Sequence, residues 1–150
     1  MTNNILNKTF VSYGVDKRHF KMRKFKKLSP FSPVKPAGGL WACDIVTNDW
    51  YWWSLKNQYD VDALRKRIVF NISPDSKVLV IDEESIDTLP VKMVTKYSKH
   101  YDFEKIAEEY DAIYVKKPSS SDINDYYKFF YMYDVESLIV INPKIIRNIR

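Results

Sequence analysis

The sequence predicts an α+β domain, with short strands forming one sheet and brief helices flanking it. Three observations carry that prediction. Apolar residues gather mostly in short runs of strand length. Helical spacing appears only in narrow windows, such as Phe103, Ile106, Ala107 and Tyr110. Prolines and polar clusters break the chain between these windows. At 150 residues the chain fits one domain, 1–150, long enough to bury a core.

Taken in order, Thr9–Val15 alternates as a first strand that ends at Gly14. A basic, partly loop-like segment, 16–36, follows. Pro30, Pro33 and Pro36 prevent it from being helical throughout. Leu40–Cys43 reads as a short strand. Asn48 or Asp49 then caps a helix through Tyr59, with Trp50, Trp53 and Asn57 on one side. Asp60–Arg67 reads as a short helical turn. Arg67–Ile72 and Lys77–Ile81 are strands joined by a Ser73-Pro74-Asp75-Ser76 turn. Asp82, Glu83 and Glu84 suit the first turn of a helix, and Asp102 caps another. Ala112–Val115 is a strand, Ser119–Ser121 a polar loop and Asp122–Tyr131 a helix. Ser137–Asn142 is an apolar closing strand stopped by Pro143.

Composition bounds the function. With 45% hydrophobic and 29% charged residues, the chain reads as a soluble globular protein. No apolar run approaches the roughly 18 residues of a membrane span, and Met1-Thr2-Asn3-Asn4 does not begin a signal peptide. The expected location is the cytoplasm. One cysteine, Cys43, excludes an internal disulfide framework and reads as a small buried residue. His19 and His100 are isolated, so no metal set is expected. Three glycines cannot supply a phosphate-binding loop or a dinucleotide fingerprint.

Charge is uneven. Residues 1–40 carry nine Lys/Arg against one acid, Asp16, while the remainder is net acidic. The basic excess lies in Lys17, Arg18, Lys21, Arg23, Lys24, Lys26 and Lys27. Such an arm meets nucleic acid, nucleotide phosphates or an acidic partner, or is simply a solvated loop. Sequence leaves these open.

Two segments stand out as a candidate site. Lys35-Pro36-Ala37-Gly38-Gly39-Leu40-Trp41 holds two of the three glycines, and all four tryptophans fall between Trp41 and Trp53. Adjacent glycines permit close backbone approach to a ligand, and dense tryptophan suggests a pocket wall or an aromatic core corner. Because Trp50 and Trp53 share a helical face, core packing is the plainer reading for most of them. The second segment is Tyr133–Val140, where Asp134 and Glu136 precede an apolar strand. In extended backbone both point to one side, placed to stabilise positive charge at a reacting carbon. On these residues alone an ordinary polar strand start is the plainer reading.

The run Glu136-Ser137-Leu138-Ile139-Val140-Ile141-Asn142-Pro143-Lys144-Ile145-Ile146 resembles the closing strand of ADP-ribosyltransferase-like domains. Tyr110-Asp111-Ala112-Ile113-Tyr114 is similar to the strand before it in that family, with Ala112 where the pattern has glycine. Gly39-Leu40-Trp41-Ala42 resembles the family's second strand, and Asn71-Ile72-Ser73-Pro74 with Val78-Leu79 the middle of the domain. The overall order also resembles a group of small bacterial and phage proteins sharing a Lys-Pro-x-Gly-Leu-Trp segment.

The resemblance implies a split-sheet core, with NAD as substrate and ADP-ribose transferred to a protein or nucleic-acid acceptor. Glu136 then contacts the ribose, and Asp134 orients the acceptor or supports Glu136. Ser12, Tyr13, Gly38, Gly39, Leu40 and Trp41 form the nicotinamide side, and Lys35 faces the pyrophosphate. The family's first strand often offers His or Arg; Val11-Ser12-Tyr13-Gly14 has neither, leaving Ser12, Tyr13 or Arg18 to substitute. The other readings are a non-catalytic module that binds nucleic acid on an aromatic and basic surface, and a small protein inhibitor anchored by its tryptophans.

Overall fold

The computed structural model describes residues 2–19, 23–26 and 34–150. Its architecture is α+β. The main sheet runs in the order β10 (Ile146–Arg147), β4 (Arg67–Ile72), β1 (Phe10–Tyr13), β3 (Ala37–Asp44), β9 (Ser137–Val140), β8 (Ala112–Val115) and β5 (Val78–Ile81). Strand β2 (Arg23–Lys26) pairs with β3 outside this path. All these pairings are antiparallel except β5 with β8. A separate hairpin joins β6 (Val91–Thr95) to β7 (Ser98–Tyr101). The helices are α1 (Thr2–Leu6), α2 (Asp49–Asn57), α3 (Phe103–Glu109) and α4 (Asp125–Phe130).

Strand alternation sorts the core into two faces. One face carries Phe10, Leu40, Ala42, Phe70, Tyr114, Leu138 and Val140. The other carries Val11, Cys43 and Val69 at one end, then Ile81, Ile113, Val115 and Ile139, which meet Phe103 and Ile106 of α3 and Phe129 of α4. Strands β8 and β9 are buried on both faces, which fits the near-continuous apolar runs Ala112–Val115 and Leu138–Val140. Each large side chain buried in this way contributes roughly 1.5–3 kcal/mol.

The link between β4 and β5 shapes the sheet. Five strand-to-strand steps separate them, about 24 Å across a flat sheet. Residues 73–77 cannot cover that distance, because even fully extended they reach only about 20 Å, and Ser76 N–H closes a turn on the Ser73 carbonyl. The sheet therefore curls, bringing Ile72 and Val78 into one core cluster. The two strands flanking the Ser73–Ser76 turn are thus not paired with each other.

Strand β3 changes partners along its length. Phe10 and Val11 pair with Asp44 and Cys43, while Leu40, Trp41 and Ala42 pair with Val140, Ile139 and Leu138. Beyond Val11, β1 leaves β3 but stays paired with β4 through Tyr13. The Ser12 hydroxyl, buried, donates to the Trp41 carbonyl at 2.7 Å and takes the place of a ladder bond. Gly14 turns the chain away with φ +77°, its N–H shared between the Ala63 and Lys66 carbonyls.

Several elements differ from the sequence expectation. Gly38 and Gly39 lie inside β3, which begins at Ala37 rather than Leu40. Within the segment expected to be loop-like, Lys17–His19 forms a 3-10 turn and Arg23–Lys26 a strand; Pro30 and Pro33 lie outside the described residues. Asp82, Glu83 and Glu84 form a turn leading to a 3-10 segment, Ile86–Thr88, because Asp82 Oδ1 accepts from the Glu84 and Ser85 N–H groups and folds back locally. The Asp102 cap forms as expected, with Lys105 N–H donating to Oδ1 at 3.1 Å. Among the described residues, no helix is long and apolar enough to cross a membrane.

Candidate functional site

A cleft of about 490 Å³ opens where β1 and β3 part. Val11, Tyr13 and Gly14 form one wall, and Trp41, Ala42 and Cys43 another. Trp50 from α2 and Ala63 with Asp60 close one side. Lys35, Tyr133, Asp134, Val135 and Ser137 close the other. Sequence places these groups there by alternation: Val11 and Tyr13, Trp41 and Cys43, and Ser137 and Ile139 each share a strand face.

Four aromatic rings, Tyr13, Trp41, Trp50 and Tyr133, line the walls, fixed by hydrogen bonds and ring contacts. Tyr13 OH donates to Asn48 Oδ1 at 2.7 Å, and its ring lies 6.0 Å from Tyr51. Trp41 and Tyr133 stack with centroids 5.9 Å apart and planes 28° from parallel. Trp50 stacks on Trp53 at 5.1 Å, and Tyr59 meets both edge-on. Lys35 Nζ sits 6.0 Å from the Trp41 ring centroid and 5.3 Å from that of Tyr133.

Two titratable groups in the walls, Cys43 and Tyr133, are held neutral by burial. Burial pushes the Cys43 thiol up to about 11, partly offset by hydrogen bonding from the Trp50 backbone. Burial likewise carries the Tyr133 phenol well above its ordinary range, with Tyr126 adding to the effect. Neither is a nucleophile or a base at neutral pH. The carboxylates Asp134 and Asp60, both exposed residues at the rim, and the Lys35 ammonium supply the charge.

The residues proposed from sequence are only partly brought together. Tyr13, Trp41, Lys35 and Asp134 line the cleft. Ser12 works behind it as the bond to the Trp41 carbonyl. Gly38 and Gly39 take φ +87° and +72°, and the Gly38 carbonyl accepts from the Trp41 indole N–H at 3.2 Å. Gly39 pairs with Arg23, so its backbone is engaged in the sheet. Leu40 faces the opposite core with Val140.

Glu136 is separated from Asp134. Its Oε2 accepts from Tyr114 OH at 2.7 Å and its Oε1 from Lys117 N–H at 2.8 Å. Tyr114 belongs to the core face opposite the cleft. The chain bends at Asp134 and Val135 before β9 begins at Ser137, so the two acids do not project together from extended backbone.

Tyr133, Trp50, Cys43, Asp60 and Ser137 were not proposed as site residues from sequence. Tyr133 had a signal in its place next to Asp134. Asp60 and Ala63 had none, because they reach the cleft only through a turn that the Gly14 N–H holds in place. Among the described residues, no group of His, Cys, Asp or Glu is arranged to hold a metal ion. Comparison with protein-family models, with curated proteins and with solved structures gives no significant match.

Proposed function

We propose that the cleft binds the nicotinamide-ribose half of NAD and that the protein transfers ADP-ribose to a macromolecular acceptor. The observation that carries this reading is convergence: Tyr13, Lys35, Trp41 and Asp134, four of the residues that the resemblance to ADP-ribosyltransferase-like domains assigns to NAD or its acceptor, line one cleft. Rings of Tyr13, Trp41 and Trp50 offer faces for a flat heterocycle. In the reaction, the bond between ribose C1′ and the nicotinamide nitrogen breaks. Its electron pair neutralises the pyridinium, and C1′ becomes oxocarbenium-like. Of the two carboxylates that line the cleft, Asp60 and Asp134, the reading assigns the stabilisation of that charge to Asp134, next to Tyr133. The acceptor nucleophile then bonds to C1′ and gives its proton to solvent.

Calorimetry with NAD and transfer from labelled NAD to candidate protein and nucleic-acid acceptors test this. Asp134→Asn is expected to lower transfer by about 100-fold or more, with Glu136→Gln close to the parent. A loss confined to Glu136→Gln would return the catalytic role to Glu136. An absence of NAD binding would end the enzymatic reading.

One observation favours a second reading. Each Glu136 oxygen accepts a hydrogen bond, from Tyr114 or from Lys117, away from the cleft, so that of the pair the sequence suggested only Asp134 lines it. A binding module that holds a ligand in the same cleft without turning it over fits that arrangement. Stoichiometric binding of NAD with no nicotinamide release would identify it.

A further inference from the structure

The segment Val34–Gly38 is fastened at both ends to the rings it lies beside. Tyr133 OH donates to the Val34 carbonyl at 2.6 Å, and the Trp41 indole N–H donates to the Gly38 carbonyl at 3.2 Å. Lys35 lies between those anchors, so its backbone is positioned by the same two rings its ammonium approaches. Both ring centroids are within cation–π range, about 6 Å. Among the described residues, Lys35 forms no ion pair, although Asp134 and Asp60 line the same cleft. The ring pair thus already holds a cation, supplied by the chain itself.

We propose that Trp41 and Tyr133 form a self-occupied cation site, and that the cleft's ligand is a flat organic cation of the pyridinium class that displaces the Lys35 ammonium from the rings. The inference deepens the reading above and rests on it only in placing the ligand in this cleft. Exchange of one cation for another keeps the rings' electrostatic attraction satisfied. The displaced ammonium regains water through its flexible four-carbon stem, whereas a delocalised ring cation is weakly hydrated and gives up less on entering. A neutral ring of the same shape removes the ammonium and returns no charge to the site. Asp134 and Asp60 at the rim add to the preference for positive charge. A cation that also carries phosphates uses both halves of the device, because the released ammonium becomes free to meet them.

The test uses two near-isosteric probes, 1-methylnicotinamide (a cation) and nicotinamide (neutral), with NAD as a third. Binding is read by tryptophan fluorescence, since Trp41 and Trp50 line the cleft. The cation is expected to bind at least about fivefold more tightly than the neutral ring. Lys35→Met, which removes the resident ammonium, should tighten 1-methylnicotinamide by about three- to tenfold, tighten nicotinamide by no more than that because it no longer has to displace a cation, and weaken NAD. Lys35→Arg restores a resident cation and should return 1-methylnicotinamide binding to the parent level or below.

Equal affinity for the two probes would overturn the proposal, as would a Lys35→Met variant that binds the cation less well. So would failure of both probes to bind at millimolar concentration. A charge preference without NAD binding upholds the cation site and removes the NAD reading. NAD binding without a charge preference does the reverse.

Discussion

Tyr114 and Glu136 are bonded across the β8–β9 pair, phenol to carboxylate at 2.7 Å, on the face of the sheet away from the cleft. The same carboxylate caps the end of β8 by accepting from Lys117 N–H. An acid that the sequence offers as a catalyst therefore fastens two central strands together. Tyr114→Phe should cost about 1.5–3 kcal/mol in urea unfolding, the usual value of a hydrogen bond to a charged group. Affinity for a ligand in the cleft should not change. A drop in that affinity with no loss of stability would mean that the pair belongs to the site.

Alkaline pH should unfold the protein earlier than an average domain. Burial raises Cys43 to about 11, and also raises Tyr114, Tyr126 and Tyr133. In each case the folded state holds a proton that the unfolded chain releases more easily. The stabilisation is complete below the unfolded value and is lost as pH climbs toward the folded one. For Cys43 the window opens near 9 and closes near 11, with about 3 kcal/mol at stake. Stability measured from pH 7 to 11 should fall across this range, and Cys43→Ala should flatten the first part of the fall.

Gly39 sits in a strand at φ +72°, in register with Arg23. Gly39→Ala should cost about 1–2 kcal/mol, because a Cβ is disfavoured in left-handed backbone. Gly39→Asn should cost less, since asparagine tolerates that region. Equal losses for the two would point to a packing clash instead of backbone strain. A thermal melt distinguishes them.

His100 is buried in β7 with neither ring nitrogen hydrogen-bonded. A buried polar group without a partner costs about 1–3 kcal/mol. His100→Leu, apolar and close in size, is expected to leave the melting temperature unchanged or raise it. A clear decrease would show that the imidazole contributes a contact that an aliphatic side chain cannot replace.

How far the sequence carried depended on whether a feature is local. Asp102 capping α3, the stop at Pro143 and the apolar run of β9 are each decided within a few residues, and all were readable. The β6–β7 hairpin was not foreseen, because Val91, Met93 and Thr95 leave its outer face half apolar and its turn, Lys96-Tyr97, lacks glycine. The partner of each strand was also hidden, since β3 meets both Cys43–Val11 and Leu40–Val140 pairings only after the chain has folded. The same holds for the site. Tyr13, Trp41, Lys35 and Asp134 were named from their segments, but the separation of Asp134 from Glu136 turns on a bend at Val135. No composition or spacing encodes that bend.

The cleft draws its walls from residues 11–14, 35–63 and 133–137. These stretches leave the ribosome at very different times. A nascent chain ending near residue 130 already holds β1, β3 and α2, yet it lacks Tyr133 to anchor Val34 and β9 to cover the edge of β3. Lys35 then has only one of its two rings. The proposed ligand recognition therefore waits on synthesis of residues 133–137, and a nascent chain that lacks them can neither capture such a ligand nor be stabilised by it.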